Sequence, residues 1–152
     1  VRRHDPNRLL LSGNAFPRPS AWHQQHERNW QRDNPEQWAE MLAADNPSPI
    51  GSLSGRLYST NDLVALAPAM ALARQLGKPL FIGEFGVPGE MTDTTRRQFR
   101  EWLAALDTSG LPLAALWVFD FGGQAKDWNV TAVNARHEQL RLIAEMNARW
   151  RR

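Results

Sequence analysis

No cysteine occurs among the 152 residues. Disulfides and thiolate metal sites are therefore excluded, and cysteine usage carries no information on redox compartment. Tyrosine appears once, as Tyr58. No apolar run approaches the roughly 20 residues that a membrane-spanning helix needs. Lys and Arg total 18 against 16 Asp and Glu, a net charge of +2. The one basic block is the short end Arg149-Trp150-Arg151-Arg152. Phosphate binding needs a clustered cationic footprint, so nucleic acid is not an expected partner. A phosphate loop, a dinucleotide fingerprint and a serine nucleophile elbow are all absent. Asp120-Phe121-Gly122 imitates the magnesium triplet of protein kinases, but no Gly-rich loop, strand lysine or catalytic loop accompanies it. The chain opens on Val1 rather than Met, with no signal-peptide pattern, and reads as a processed or cut piece.

What is present is enough apolar content for a core, 42%, and seven tryptophans. Excess Trp fits a large core or a surface that stacks on flat ligands. The stretch that organises the chain is Lys78-Pro79-Leu80-Phe81-Ile82-Gly83-Glu84-Phe85-Gly86. A short apolar run closed by turn residues reads as a strand buried on both faces, as in parallel sheets. Regular alternation puts Leu80, Ile82 and Glu84 on one side and Phe81, Gly83 and Phe85 on the other. Glu84 thus ends a core-facing row, where a charge needs a partner or a task. In parallel α/β folds the C-terminal strand ends are where ligands bind. The bland alternative is a Glu that caps the next helix or begins a loop.

In chain order, Val1 to Arg3 reads as the tail of a helix and Leu9–Gly13 as a first strand. Residues 14–33 form a long polar loop holding Trp22, His23, His26 and Trp30. Two histidines with no third ligand are solvated loop residues rather than a metal site, so no metal or cofactor is expected. Asn34 caps a helix with Pro35 at its first position. A second strand covers Ile50–Leu57, with Tyr58 at its end. Asn61–Leu76 is helical; Pro68 should kink it or mark a start nearer Ala67, and Gly77 caps its end. The third strand spans 79–84, and Thr92 caps a helix whose face carries Phe99, Trp102, Leu103 and Leu106. A fourth strand, Leu113–Phe119, leads through a polar loop with Trp128 to a last helix from Val133 to Trp150. Glu90 reads as a loop or helix-start charge, and Arg96, Arg97 and Arg100 as a solvated helix face.

The order is α/β, four consecutive βα units in one segment, residues 1–152. Alternation of this kind argues for a parallel sheet. Long loops follow strands and plain turns follow helices, as expected where one rim of a barrel carries function. Four units make half of an eight-stranded barrel; a small open sheet is the other solution.

These residues resemble a known family. The chain is similar to the C-terminal half of a TIM (β/α)8 glycoside hydrolase of clan A, most like the cellulase/mannanase-like glycoside hydrolase family 5. Asp5-Pro6-Asn7-Arg8-Leu9-Leu10-Leu11-Ser12-Gly13 resembles its fifth strand. Lys78-Pro79-Leu80-Phe81-Ile82-Gly83-Glu84-Phe85-Gly86 resembles its seventh, and Ala115-Leu116-Trp117-Val118-Phe119-Asp120 its eighth. The resemblance implies a retaining glycosidase in which Glu84 is the nucleophile and Tyr58 hydrogen-bonds it. It implies that Trp117, or Phe119, floors the sugar subsite. Trp22 and Trp128 are further candidates for stacking on sugar. It also implies a secreted or periplasmic protein.

Two departures stand out. Arg56 occupies the place of a His that the family usually has two residues before the Tyr. The acid/base Glu of the family lies in an Asn-Glu-Pro motif, and no Asn-Glu-Pro occurs here. The expected function is therefore retaining hydrolysis of a β-linked polysaccharide or oligosaccharide, with this chain holding the nucleophile half of the site. Its partners would be carbohydrate and either a missing N-terminal half-barrel or a second copy of the chain. The alternative is a non-catalytic carbohydrate-binding or assembly half-barrel.

Overall fold

The computed structural model describes residues 3–150. A three-stranded parallel sheet forms its centre, with β1 (Leu53–Leu57), β2 (Leu80–Phe85) and β3 (Leu113–Leu116) side by side in that order. Five helices accompany it: α1 (Ala21–His26), α2 (Pro35–Ala44), α3 (Thr60–Leu76), α4 (Asp93–Ser109) and α5 (His137–Trp150). Parallel neighbours need a crossover, and α3 and α4 supply the two.

The helix ends follow the local chemistry. Asn34 accepts from the Gln37 N–H while the Gln37 side chain accepts from the Asn34 N–H, a closed capping box before Pro35. Ser59 and Asp62 build the same device at the start of α3. Thr92 caps α4, and Gly77 and Gly110 end α3 and α4 at φ 63° and 71°, a conformation that costs glycine nothing.

One face of the sheet packs on the helices. Leu53, Leu57, Leu80, Ile82 and Phe85 join Leu66 and Ala69 of α3 and Phe99, Trp102 and Leu106 of α4 in one core. The Phe85 and Phe99 rings stack at 5.9 Å. Each such fully buried large side chain is worth about 1.5–3 kcal/mol. The other face is open at β3, where Leu113, at the start of the strand, is 58% exposed.

Several sequence expectations change. The second expected strand begins at Leu53 rather than Ile50, and the fourth ends at Leu116 rather than Phe119. Leu9–Gly13 is extended but is not a strand, so four complete units are not present. A single backbone-to-backbone hydrogen bond, from the Gly51 N–H to the Leu10 carbonyl, ties it to the chain beside β1, and Leu9 and Leu11 are exposed. The loop 14–33 contains α1. Pro68 neither starts nor breaks α3. The carbonyl its missing N–H leaves free belongs to Val64, on the exposed side of the helix, where water can satisfy it. Finally, α5 begins at His137 rather than Val133, because Asn134 ties residues 131–136 into a turn by accepting from the Thr131 and Arg136 N–H groups. The helix tail expected over Val1 to Arg3 falls on Val1 and Arg2, outside the described residues, and on Arg3, which lies in a turn. No described helix is long and apolar enough to cross a membrane.

Candidate active site

The site begins with an irregularity in the ladder. Leu53, Ser54 and Gly55 of β1 pair with Leu80, Phe81 and Ile82 of β2, but Arg56 then pairs with Glu84 and Leu57 with Phe85. Gly83 is the extra residue of a bulge. A bulge shifts the side-chain parity of everything after it. Phe85, not Glu84, therefore continues the core row of Leu80 and Ile82, and Glu84 turns to the open face. This corrects the regular alternation expected from the sequence.

Glu84 is met there by two groups from β1 and its end. The Tyr58 hydroxyl donates to Glu84 Oε2 at 2.6 Å. Arg56 Nε lies 3.4 Å from the same oxygen, and its guanidinium donates to the Gly13 carbonyl at 3.2 Å. Among the described residues no hydrogen bond reaches Oε1 of Glu84. The Glu84 side chain keeps 20% of its surface exposed and Arg56 keeps 41%. Burial, and then the hydrogen bond and charge of Glu84, push the Tyr58 phenol well above the usual range; Arg56 pulls it back in part. Tyr58 is thus a proton donor held in place.

The rim continues through aromatic groups. Trp128 meets Tyr58 edge to face at 5.0 Å. Trp117 follows β3; its backbone N–H donates to the Phe85 carbonyl at 2.8 Å and its indole N–H to Gln124 Oε1 at 2.7 Å. A Cβ on Gly86 would sit 2.6 Å from the Trp117 carbonyl oxygen and 3.5 Å from the Trp128 ring, so the absence of a side chain there lets the two segments close. Trp117 and Trp128 are half-buried. Phe119 is 57% exposed and bridges to Val130.

Trp22 is engaged elsewhere. Its indole N–H donates to Glu40 and its ring lies 4.5 Å from His26. His23, expected as a solvated loop residue, is instead buried, because its ring packs inside the turn closed by Asp33, 2.8 Å from its Nδ1. No group of described His, Asp or Glu side chains could hold a metal ion. A cavity of about 580 Å³, lined by Phe16, Trp38, Ser59 and Val64 among others, opens between the starts of α2 and α3; Glu84 is not in its wall.

Sequence reasoning missed three residues: Gly83, Gln124 and Asp33. A glycine before a polar residue inside an apolar strand is a bulge signal and was available for Gly83. Gln124 holds the Trp117 indole from a one-turn 3-10 helix, Gly122–Gln124, and nothing in the spacing announced it.

No protein-family model matches the chain, and no curated protein matches it. Solved structures do. The endo-β-1,4-mannanase of Thermotoga petrophila superposes with a TM-score of 0.62 at 15% identity, over 95% of this chain and 37% of that one. A second structure, of the hyperthermostable endo-1,4-β-D-mannanase of Thermotoga petrophila RKU-1 with maltose and glycerol, gives 0.60 at 15% identity over 95% and 48%. The endo-1,4-β-mannanase of Rhizomucor miehei gives 0.61 at 17% identity over 91% and 40%. The chain spans less than half the length of each of these structures. At such identities the likeness is one of fold: the parallel sheet and its helices correspond to part of a TIM barrel of the kind these glycoside hydrolases have.

Proposed function

We propose that this chain carries the nucleophile half of a retaining glycoside hydrolase site acting on a β-linked polysaccharide or oligosaccharide, and that residues 1–152 are one half-barrel segment. The observation that carries the reading is the 2.6 Å hydrogen bond from Tyr58 to Oε2 of Glu84 at the open end of β2. It orients the carboxylate and leaves Oε1 to attack. In the first step Oε1 forms a bond to the anomeric carbon, and the glycosidic C–O bond breaks with its electron pair leaving on oxygen. A second carboxyl group, about 5–5.5 Å away in retaining enzymes, protonates that oxygen and later activates the water that hydrolyses the ester. That group would come from the complementary half-barrel, which would also cover the open face at Leu113. Trp117, Trp128 and Phe119 offer apolar faces to sugar C–H groups, whereas Trp22 is held on Glu40 and His26.

An activated leaving group needs no proton, so the chain can be tested as it is. The probes are dinitrophenyl 2-deoxy-2-fluoro-β-glycosides of mannose, glucose and xylose. The expected result is one covalent adduct, mapped by mass spectrometry to Glu84 and absent in Glu84→Gln. An adduct on another residue sinks the assignment. Saturable oligosaccharide binding with no adduct from any probe would turn the reading to a carbohydrate-binding half-barrel.

A further inference from the structure

We propose that Arg56 is a positioning residue that sets how readily Glu84 departs from a glycosyl-enzyme; the inference rests on the nucleophile reading above. Three observations support it. The Gly83 bulge brings Arg56, and no other cation among the described residues, into register with Glu84. The guanidinium is fixed from behind by the Gly13 carbonyl, so its charge stays where Glu84 needs it. Its Nε is buried and makes no hydrogen bond, although Oε2 of Glu84 lies 3.4 Å away. An unpaired buried N–H beside a carboxylate is costly unless some state of the site uses it.

The state that uses it is the one in which negative charge returns. On glycosylation the Glu84 carboxylate becomes a neutral ester and the attraction of Arg56 is lost. On deglycosylation the anomeric carbon takes a new nucleophile, the ester C–O bond breaks and its electron pair returns to Glu84. A cation already in place lowers the barrier to that departure, because it stabilises charge as it develops. Tyr58 takes Oε2 in both states, and on its own line of approach it provides direction rather than charge. The groups that meet Glu84 among the described residues are therefore Arg56 and Tyr58; Trp128, edge to face on Tyr58, carries no charge.

The test separates the two steps. The fluoroglycosyl adduct on Glu84 is formed, excess probe is removed, and azide is added. Azide attacks the anomeric carbon, the glycosyl azide leaves, and Glu84 recovers its electron pair with no acid or base required. Reactivation in Arg56→Met should be slower than in the parent on the order of tenfold, equivalent to about 1.4 kcal/mol of barrier. Arg56→Lys should recover most of the rate, since it restores charge without the guanidinium shape. Urea unfolding of each variant checks that the fold survives, and Arg56→Gln replaces Arg56→Met if that one does not fold. Equal reactivation in parent and uncharged variant, or equal slowing in Lys and Met variants, overturns the proposal for Arg56 and leaves Glu84 standing. Absence of a Glu84 adduct in the parent overturns both, so the two failures are told apart.

Discussion

Arg56 stands opposite Glu84, its Nε 3.4 Å from Oε2, because β2 holds one residue more than β1 between two paired positions. In a regular ladder Arg56 would pair with Gly83, and Glu84 would point with Leu80 and Ile82 into the apolar layer under α4. An unpaired carboxylate in such a place costs several kcal/mol even after relaxation, on the order of the penalties measured for buried ions. The bulge removes that penalty and gives the carboxylate a donor, a cation and an open face. One glycine thus converts a core position into a site position.

The same economy of space recurs at Gly86. Its missing side chain is where the Trp117 carbonyl oxygen and the Trp128 ring approach. Gly86→Ala should lower the unfolding free energy by about 1–3 kcal/mol, the usual cost of forcing an atom into packed backbone. Gly122→Ala, where a Cβ meets nothing within 4 Å, should stay within about 0.5 kcal/mol of the parent. Urea unfolding of both variants reads the difference. Equal values would mean that the β2 end and the Trp117 segment do not approach as described.

A buried carboxylate also orders the loop before α2. Asp33 has a side chain 1% exposed and accepts from the backbone N–H groups of Trp22 at 2.9 Å and His23 at 3.2 Å. Ser20, at the N-cap of α1, makes no side-chain bond, so Asp33 caps that helix from beyond its far end. Burial works to raise its carboxyl, but the two N–H groups and the His23 ring outweigh it and the net direction is down. A lowered carboxyl adds stability that is present above the ordinary range and is lost as pH falls through the folded-state value. Asp33→Asn should cost about 1–2 kcal/mol at neutral pH, and the gap to the parent should shrink in acid below about pH 4. A gap that stays constant with pH would assign the loss to packing rather than charge.

Much of this was legible in the sequence where the physics is local. Asn34-Pro35, Thr92 and Gly77 mark helix ends by the chemistry of unsatisfied N–H and C=O groups, and the structure follows them. The runs expected as strands over 50–57, 79–84 and 113–119 correspond to the strands Leu53–Leu57, Leu80–Phe85 and Leu113–Leu116, because a β-rich apolar run between turn signals has few other uses. What was not legible depends on partners far along the chain. Leu9–Gly13 has the composition of a strand but one backbone bond to its neighbour, and composition cannot supply a second. The sequence puts Glu84 at the right end of the right strand but on the wrong side of it, since period-2 reasoning assumes an unbroken ladder. The capping of α1 by Asp33 reaches back 10 and 11 residues and leaves no periodic trace.

Tyr58 offers the most direct reading of the site, because it is the only tyrosine and its ionisation can be followed by tyrosinate absorbance without interference from another. Burial and the charge of Glu84 hold the phenol well above its usual value. In the unfolded chain the proton leaves near pH 10. Between that point and the folded-state value only the unfolded state sheds a proton. The stabilising contribution is therefore complete below about pH 10 and is lost as pH rises beyond it. The folded chain should show almost no tyrosinate at the pH where the urea-unfolded chain is half ionised. Glu84→Gln removes the negative charge and should bring the transition down towards the ordinary range. Tyr58→Phe should flatten part of the alkaline loss in the urea midpoint. A folded-state titration that overlays the unfolded one would separate Tyr58 from Glu84, and with that separation the orientation of the carboxylate would lose its cause.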